Sequence, residues 1–368
     1  MVDIRFNREK MDVSVIGKCT TPLCFLADGS LLCYHQRKVI VMRDGNKVKS
    51  ISMPVSILER LFGWNRLASR LMRFGVRTAE AIDDNHAVLC VGHKLYEIDV
   101  EKGKVSDGWF CGNGIRPLIM SHINGIKSFE DGVYFGGYMV NREKNPISVY
   151  RRVGVDQWEV VFTFPEGEIN HIHNVVQDKY RQCLWIFTGD FDESAAIWKA
   201  TEGFAKVERV VCNNQKYRGC VVYALPEGLL YATDAPYAEN YIYMMNPETF
   251  DVQSICPLHG SCIYGCQWND EYVFSSTVEG DGRTAGCIRL FYNNKRRGAG
   301  IKDDYAHLYS GNPKDGFREI YKEKKDRLSF LFQFAVFKFP SGQNKTDVLY
   351  FQPMATREND MRMMALKK

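Results

Sequence analysis

Residues 219–255 read GCVVYALPEGLLYATDAPYAENYIYMMNPETFDVQSI. Runs rich in Val, Leu, Tyr and Ile alternate with short turn clusters, among them Pro226-Glu-Gly228 and Asn246-Pro-Glu-Thr249. β-branched and aromatic residues suit a pleated, half-buried surface, and Pro, Gly and Asn supply the backbone angles of tight turns. The stretch is therefore a set of antiparallel strands joined by hairpins.

The same unit recurs along the chain. Copies begin with TPLCFLADGSLLCYH at residue 21, RTAEAIDDNHAVLCV at 77, NGIKSFEDGVYFGG at 124, EINHIHNVVQDKYRQCLWIFTGD at 168, CIYGCQWNDEYVFSS at 262 and FQFAVFKFPSGQNKTDVLYFQ at 332. The second strands of the seven units start near Leu31, Val88, Val133, Leu184, Leu229, Tyr272 and Val348. Five of the six spacings are about 43 to 57 residues, the period of propeller blades. The last gap is longer and holds the basic loop NNKRRGAGIKDDY. Four-stranded units closed in a ring leave few open sheet edges. The expectation is an all-β fold, a seven-bladed β-propeller formed by residues 1–368 as one domain. Counts of six or eight stay open, because a terminal blade can be shared between the two ends of the chain.

Composition agrees with a globular chain. Of 368 residues, 45% are hydrophobic and 25% charged, and the net charge of +4 is too mild to indicate nucleic acid. We read no secretory signal and no run of 18 or more apolar residues, so the expected location is cytoplasmic, with peripheral contact at the inner membrane as a further expectation. The 12 cysteines are scattered and read as reduced, mostly buried thiols. Cys256, His259, Cys262 and Cys266 lie close in sequence, but no second ligand pair at ribbon or finger spacing joins them.

Two stretches resemble eroded Asp-box turns: Tyr150 to Trp158 and Trp198 to Val207. The motif keeps Gly154 and Asp156 in the first, and Glu202 and Gly203 in the second. It marks sialidase-like propellers, and the order HIHN, LWIFTGD, IW is also similar to uncharacterised bacterial propellers described as glycosyl hydrolase-like. The resemblance implies a carbohydrate-active or glycan-binding protein. It does not supply catalytic residues, since Asp-boxes lie at blade peripheries and the arginine triad of sialidases is not in place. Gly114-Ile115-Arg116-Pro117 is similar to an Arg-Ile-Pro element but stands mid-chain.

Polar residues recur near the innermost strands, where a propeller site would sit. They are Arg77; His122 and Asn124; His171, His173 and Asn174; Gln215 and Arg218; Tyr264 and Gln267; and Gln333. Residues two apart on a strand share a face, so His171 and His173 point together. Joined by His122, they could hold a divalent metal or supply a general base. Arg77, Gln215, Arg218, Asn124 and Gln267 are candidate substrate contacts, with an arginine clamping a carboxylate. Asp190 and Asp234 end corresponding strands 44 residues apart. They could be the paired carboxylates of glycoside hydrolysis, or ordinary turn caps.

Residues 54–76 break the β pattern. Apolar positions at helical spacing interleave with Arg60, Arg66, Arg70 and Arg73, and Gly63 divides two short helices. Trp64, Arg66, Arg70 and Arg73 are the candidate contacts to an anionic membrane surface; the alternative is a helix pair packed on the propeller or on another copy. The leading functional expectation is action on an anionic glycan in the central pocket, as glycosidase or polysaccharide lyase. The alternative is a non-catalytic scaffold, peripheral at the membrane in glycan biosynthesis.

Overall fold

The computed structural model describes residues 12–112, 114–191, 193–281 and 296–367. Seven antiparallel sheets make the blades of one propeller. Their innermost strands are Thr20–Phe25, Val76–Ala81, Met120–Ile123, His171–Asp178, Gly219–Leu225, Cys262–Trp268 and Val336–Lys338, for blades one to seven. Neighbouring innermost strands touch from blade one through to blade seven, and the innermost strand of blade one meets the second and third strands of blade seven. The second strands are Leu31–His35, His86–Val91, Gly132–Gly136, Cys183–Gly189, Gly228–Thr233, Glu271–Ser276 and Val348–Met354. All seven lie where the repeat places them.

Burial follows blade geometry. Cys183–Gly189 is buried along its whole length, whereas no residue of the outer strand Lys206–Val211 is buried. The core lies between blades: Ile123 and Phe164 pack with Leu184 and Trp198, and Trp185 and Phe187 with Leu229 and Tyr231. Turns are pinned by side chains. Asp178 accepts from the Tyr180 and Arg181 amides and from Trp185 Nε1 at 2.9–3.0 Å.

The ring closes through both ends of the chain. Asp12–Lys18 forms the outermost strand of blade seven against Arg362–Lys367, with Asp12 facing Lys367 and Lys18 facing Arg362. This fixes the count at seven. In blade six the third and fourth strands are Tyr305–Asn312 and Gly316–Lys324, so an insertion after Ser276 accounts for the long last spacing. The run CIRLFYNN, read as continuing the sixth unit, lies outside the described residues. Both Asp-box-like stretches occupy hairpins between third and fourth strands; Asp156 bonds across to Ser106 Oγ and the Gly108 amide, tying blade three to blade two at the rim.

The insertion folds as two helices, Ile57–Phe62 and Arg66–Met72, broken at Gly63. Ser56 caps the first and Asn65 the second. The orientation corrects the membrane expectation for Arg70. Its side chain is buried, donating to the Phe332 carbonyl at 2.7 Å and pairing with Asp360 at 3.0 Å and Asp326 at 2.5 Å. Arg66 reaches Asp360 at 3.5 Å, and Arg73 lines the central cavity. The helix pair docks through its polar side, so its apolar side faces out: Ile57 is 75% exposed and Trp64 69%. No helix among the described residues is long and apolar enough to cross a membrane.

Candidate functional site

A cavity of about 970 Å³ opens at one face of the ring. The chain enters each innermost strand at this face, so the strand starts line it. Thr21, Val76, Arg77, Arg116, Leu118, Arg218, Ile263 and Tyr264 all do so. Several of these strands carry a β-bulge near their start, between Val76 and Thr78, between Ile172 and Asn174, and between Cys262 and Tyr264. A bulge adds a residue and re-aims its side chain. Arg77, His173 and Ile263 are those extra residues, so Arg77 and His173 hold equivalent positions in different blades.

Blades four and five build one wall. Asp190 follows the second strand of blade four, and its side chain is 35% exposed towards the cavity. Its Oδ1 lies 3.3 Å from His171 Nε2, 3.3 Å from His173 Nε2 and 2.7 Å from Arg218 Nη2. The same guanidinium meets Asp234 Oδ2 at 3.2 Å, and Gln215 Nε2 donates to the Asp190 carbonyl at 3.1 Å. The backbone must approach closely here: a Cβ on Gly189 would sit 2.3 Å from His173 Cε1. Burial alone would raise the Asp190 carboxyl, but the close His171 and His173 rings and the Arg218 charge hold it well below the ordinary carboxylate range. Burial lowers His173 despite the neighbouring Asp190. Half-buried Glu279 lines the same cavity; burial and the Asp234 charge push its carboxyl up to about 7.

The opposite wall is cationic. Arg73 from the insertion, Arg77, Arg116 and Lys338 line it, and none of the four forms an ion pair among the described residues. Arg77 Nε is buried without a hydrogen-bond partner among the described residues. Burial, then Arg77, Arg73 and Arg116, push the Lys338 ammonium down to about 8. Burial and Arg116 likewise lower Arg77. Arg116 stacks over Tyr138 at 4.9 Å, and the Tyr138 ring meets the His171 ring at 4.4 Å, so an aromatic bridge joins the two walls. Below the cavity the channel narrows to a void of about 170 Å³, with Arg77, Tyr264 and Lys338 at the neck.

The structure thus brings together His171, His173, Asp190, Asp234, Gln215, Arg218 and, across the cavity, Arg77. It separates three other candidates. His122 lies late in its strand: adjacent Ser121 bonds to Asn174, and Asn124 bonds to Gln177 and Lys179, so both sit on the order of 10 Å or more along the channel from His171. His122 is therefore no partner of the histidine pair. Gln267 is at the far end of its strand, bonded to the Asn269 carbonyl. The zinc candidates also separate, because Cys262 and Cys266 are four residues apart on one strand, about 13 Å. His259 bonds instead to the Tyr309 hydroxyl. Sequence reading missed Lys338, Tyr138 and Glu279, which come from blades whose local pattern marks them as strand or turn residues. Arg116, part of the mid-chain Gly114-Ile115-Arg116-Pro117 element, stands in the cavity lining all the same.

No known family model matches the sequence, and no curated protein matches it. Solved structures do. A chain of the mitotic checkpoint complex is 12% identical with a TM-score of 0.55, covering 100% of this chain and 94% of that one. The AfRom2 CNH domain is 6% identical with a TM-score of 0.54, covering 97% and 99%. The extracellular domain of a hybrid two-component system, BT3049 from B. thetaiotaomicron, is 9% identical with a TM-score of 0.54, covering 96% of this chain and 39% of that one. At such identities the likeness shows the propeller fold alone.

Proposed function

We propose that the protein binds an anionic glycan in the central cavity. The observation that carries this reading is the wall of Arg73, Arg77, Arg116 and Lys338, four cations without acidic partners among the described residues, of which Arg73 is exposed and the other three partly buried. A desolvated charge is costly unless a partner neutralises it, and guanidinium groups fit carboxylates in two-point contacts. Tyr138, Tyr264, Phe74, Trp64 and Tyr237 also line the cavity and offer flat faces to sugar rings. The volume is at the upper end of the roughly 300–1,000 Å³ of small-molecule sites. As a glycosidase, the site would divide labour between an acid and a carboxylate. Glu279, titrating near 7, is the proton donor, and Asp190, held ionised, is the stabilising or attacking carboxylate. A lyase would need a base at the cavity surface, and His171 and His173 lie buried behind Asp190, outside the cavity lining.

Calorimetric titration tests this with oligogalacturonides, a sialylated oligosaccharide and a neutral maltooligosaccharide. We expect binding of an acidic oligosaccharide only, weakened roughly tenfold or more in Arg77→Ala or Arg116→Ala. Equal binding of the neutral sugar, or none of any acidic one, overturns the glycan reading. Binding confined to inorganic polyphosphate keeps the cationic cradle and removes the sugar.

The scaffold reading rests on a different observation. Ile57, Leu58, Leu61, Phe62, Trp64, Leu67, Leu71 and Met72 are all exposed on the helix pair. A patch of this kind marks an interaction surface. Co-sedimentation with anionic liposomes, abolished by Leu61→Glu with Trp64→Glu, supports membrane docking; no co-sedimentation of the unaltered protein removes it. Arg70 is unsuitable for that test because it holds the insertion in place.

A further inference from the structure

The histidine pair carries a second inference, independent of the glycan reading. His171 Nδ1 lies 2.8 Å from the Met139 carbonyl oxygen, and His173 Nδ1 lies 3.2 Å from that of Gly219. A carbonyl oxygen can only accept, so each Nδ1 carries its hydrogen. In the neutral rings both Nε2 atoms then present lone pairs. These face each other at 3.1 Å and face Asp190 Oδ1 at 3.3 Å each. Three acceptors converge on one point, and a single proton on one ring serves those contacts only in part. A cation at their centre serves all three.

The dimensions fit an ion. The three atoms form a triangle whose centre is about 1.9 Å from each corner, and transition-metal bonds to imidazole and carboxylate run about 2.0–2.2 Å. An ion slightly out of that plane reaches all three ligands without any side chain moving. The carbonyls of Met139 and Gly219 hold the rings in the ligating tautomer, as outer partners of metal-bound histidines do. Asp190 lines the cavity and the two histidines lie buried behind it, so an ion held there is reached from the Asp190 side.

A second observation points the same way. Asp234 is buried, its Oδ1 has no hydrogen-bond partner among the described residues, and its carboxylate lies within 4.8 Å of the ligating atoms of His173 and Cys220. Two carboxylates share the single guanidinium of Arg218. One negative charge beside two imidazoles is left for a cation to balance.

We propose that His171 Nε2, His173 Nε2 and Asp190 Oδ1 bind one divalent first-row transition-metal ion, reached from the cavity on the Asp190 side. Two imidazoles with one carboxylate select this class over calcium or magnesium, which take oxygen ligands.

The experiment uses the full chain stripped with a chelator and titrated with Zn²⁺, Mn²⁺ and Co²⁺ by calorimetry. Elemental analysis of the reloaded protein gives the stoichiometry. We expect one ion per chain, with affinity lowered on the order of 100-fold by His171→Ala and by Asp190→Asn. His122→Ala, at the other end of the channel, retains the full stoichiometry. If His171→Ala does not fold by circular dichroism, Asp190→Asn decides, because it keeps the side-chain shape. No stoichiometric ion on the unaltered chain, or undiminished binding in Asp190→Asn, overturns the proposal. Because no glycan enters the titration, its failure is distinct from failure of the glycan reading.

Discussion

The two walls of the cavity handle charge in opposite ways. On the wall from blades four and five, Arg218 stands between Asp190 and Asp234, and Asp190 also meets both histidines. On the facing wall, Arg73, Arg77, Arg116 and Lys338 repel one another with no acid among them. Folding selects the first arrangement, since a buried ion with a partner is tolerable. It does not select the second. Cations crowded without partners cost stability and persist where a ligand needs them. The first wall positions groups, and the second recruits.

The largest effect comes from breaking the paired wall. Arg218→Ala leaves Asp190 and Asp234 without their shared cation, and we expect a loss of about 3–5 kcal/mol in denaturant unfolding. A loss under about 1 kcal/mol shows that the two aspartates are neutralised some other way. Gly189→Ala is next. The added methyl meets the His173 ring, for an expected loss of about 1–3 kcal/mol by thermal or denaturant unfolding. Arg77→Ala sharpens the contrast through its sign. Removing one of four mutually repelling cations leaves stability unchanged or higher by up to about 1 kcal/mol, while anion affinity falls.

The smallest effect is a pH dependence. Lys338 in the folded chain titrates near 8, below the ordinary lysine value, because burial and three arginines disfavour its charged form. The ammonium is therefore present at pH 7 and lost as pH rises through about 8. Affinity for an acidic oligosaccharide should fall about fivefold or less between pH 7 and 9. Lys338→Met should bind more weakly at pH 7 and lose that step. A step that survives in Lys338→Met assigns it to another group.

Much of this was legible in sequence because it is local. Strands, hairpins and blade spacing follow from alternation and turn residues, as at Asp178 to Cys183, and His171 and His173 stood out because no other blade repeats them. What was illegible depends on neighbours far along the chain. His122 resembled the pair in type, but its place late in its strand puts it at the other end of the channel. The bulge that aims His173 at Asp190 is a feature of pairing with the next strand. Arg70 reads as one of four exposed arginines until Asp326 and Asp360, more than 250 residues away, claim it. The cationic wall draws from four separate regions, and each contributes one residue that is unexceptional alone.

The pairing of Asp12–Lys18 with Arg362–Lys367 joins strands about 350 residues apart, so the first of them waits for the second. Six blades can be complete while the seventh still lacks its outer edge. Lys338, one of the four cations, belongs to that seventh blade, and Gln333 and Met361 line the cavity beside it. Contacts of such long sequence separation form late and slowly. The binding cavity is thus a property of the finished ring: a chain stalled before residue 362 has most of its blades and no complete site.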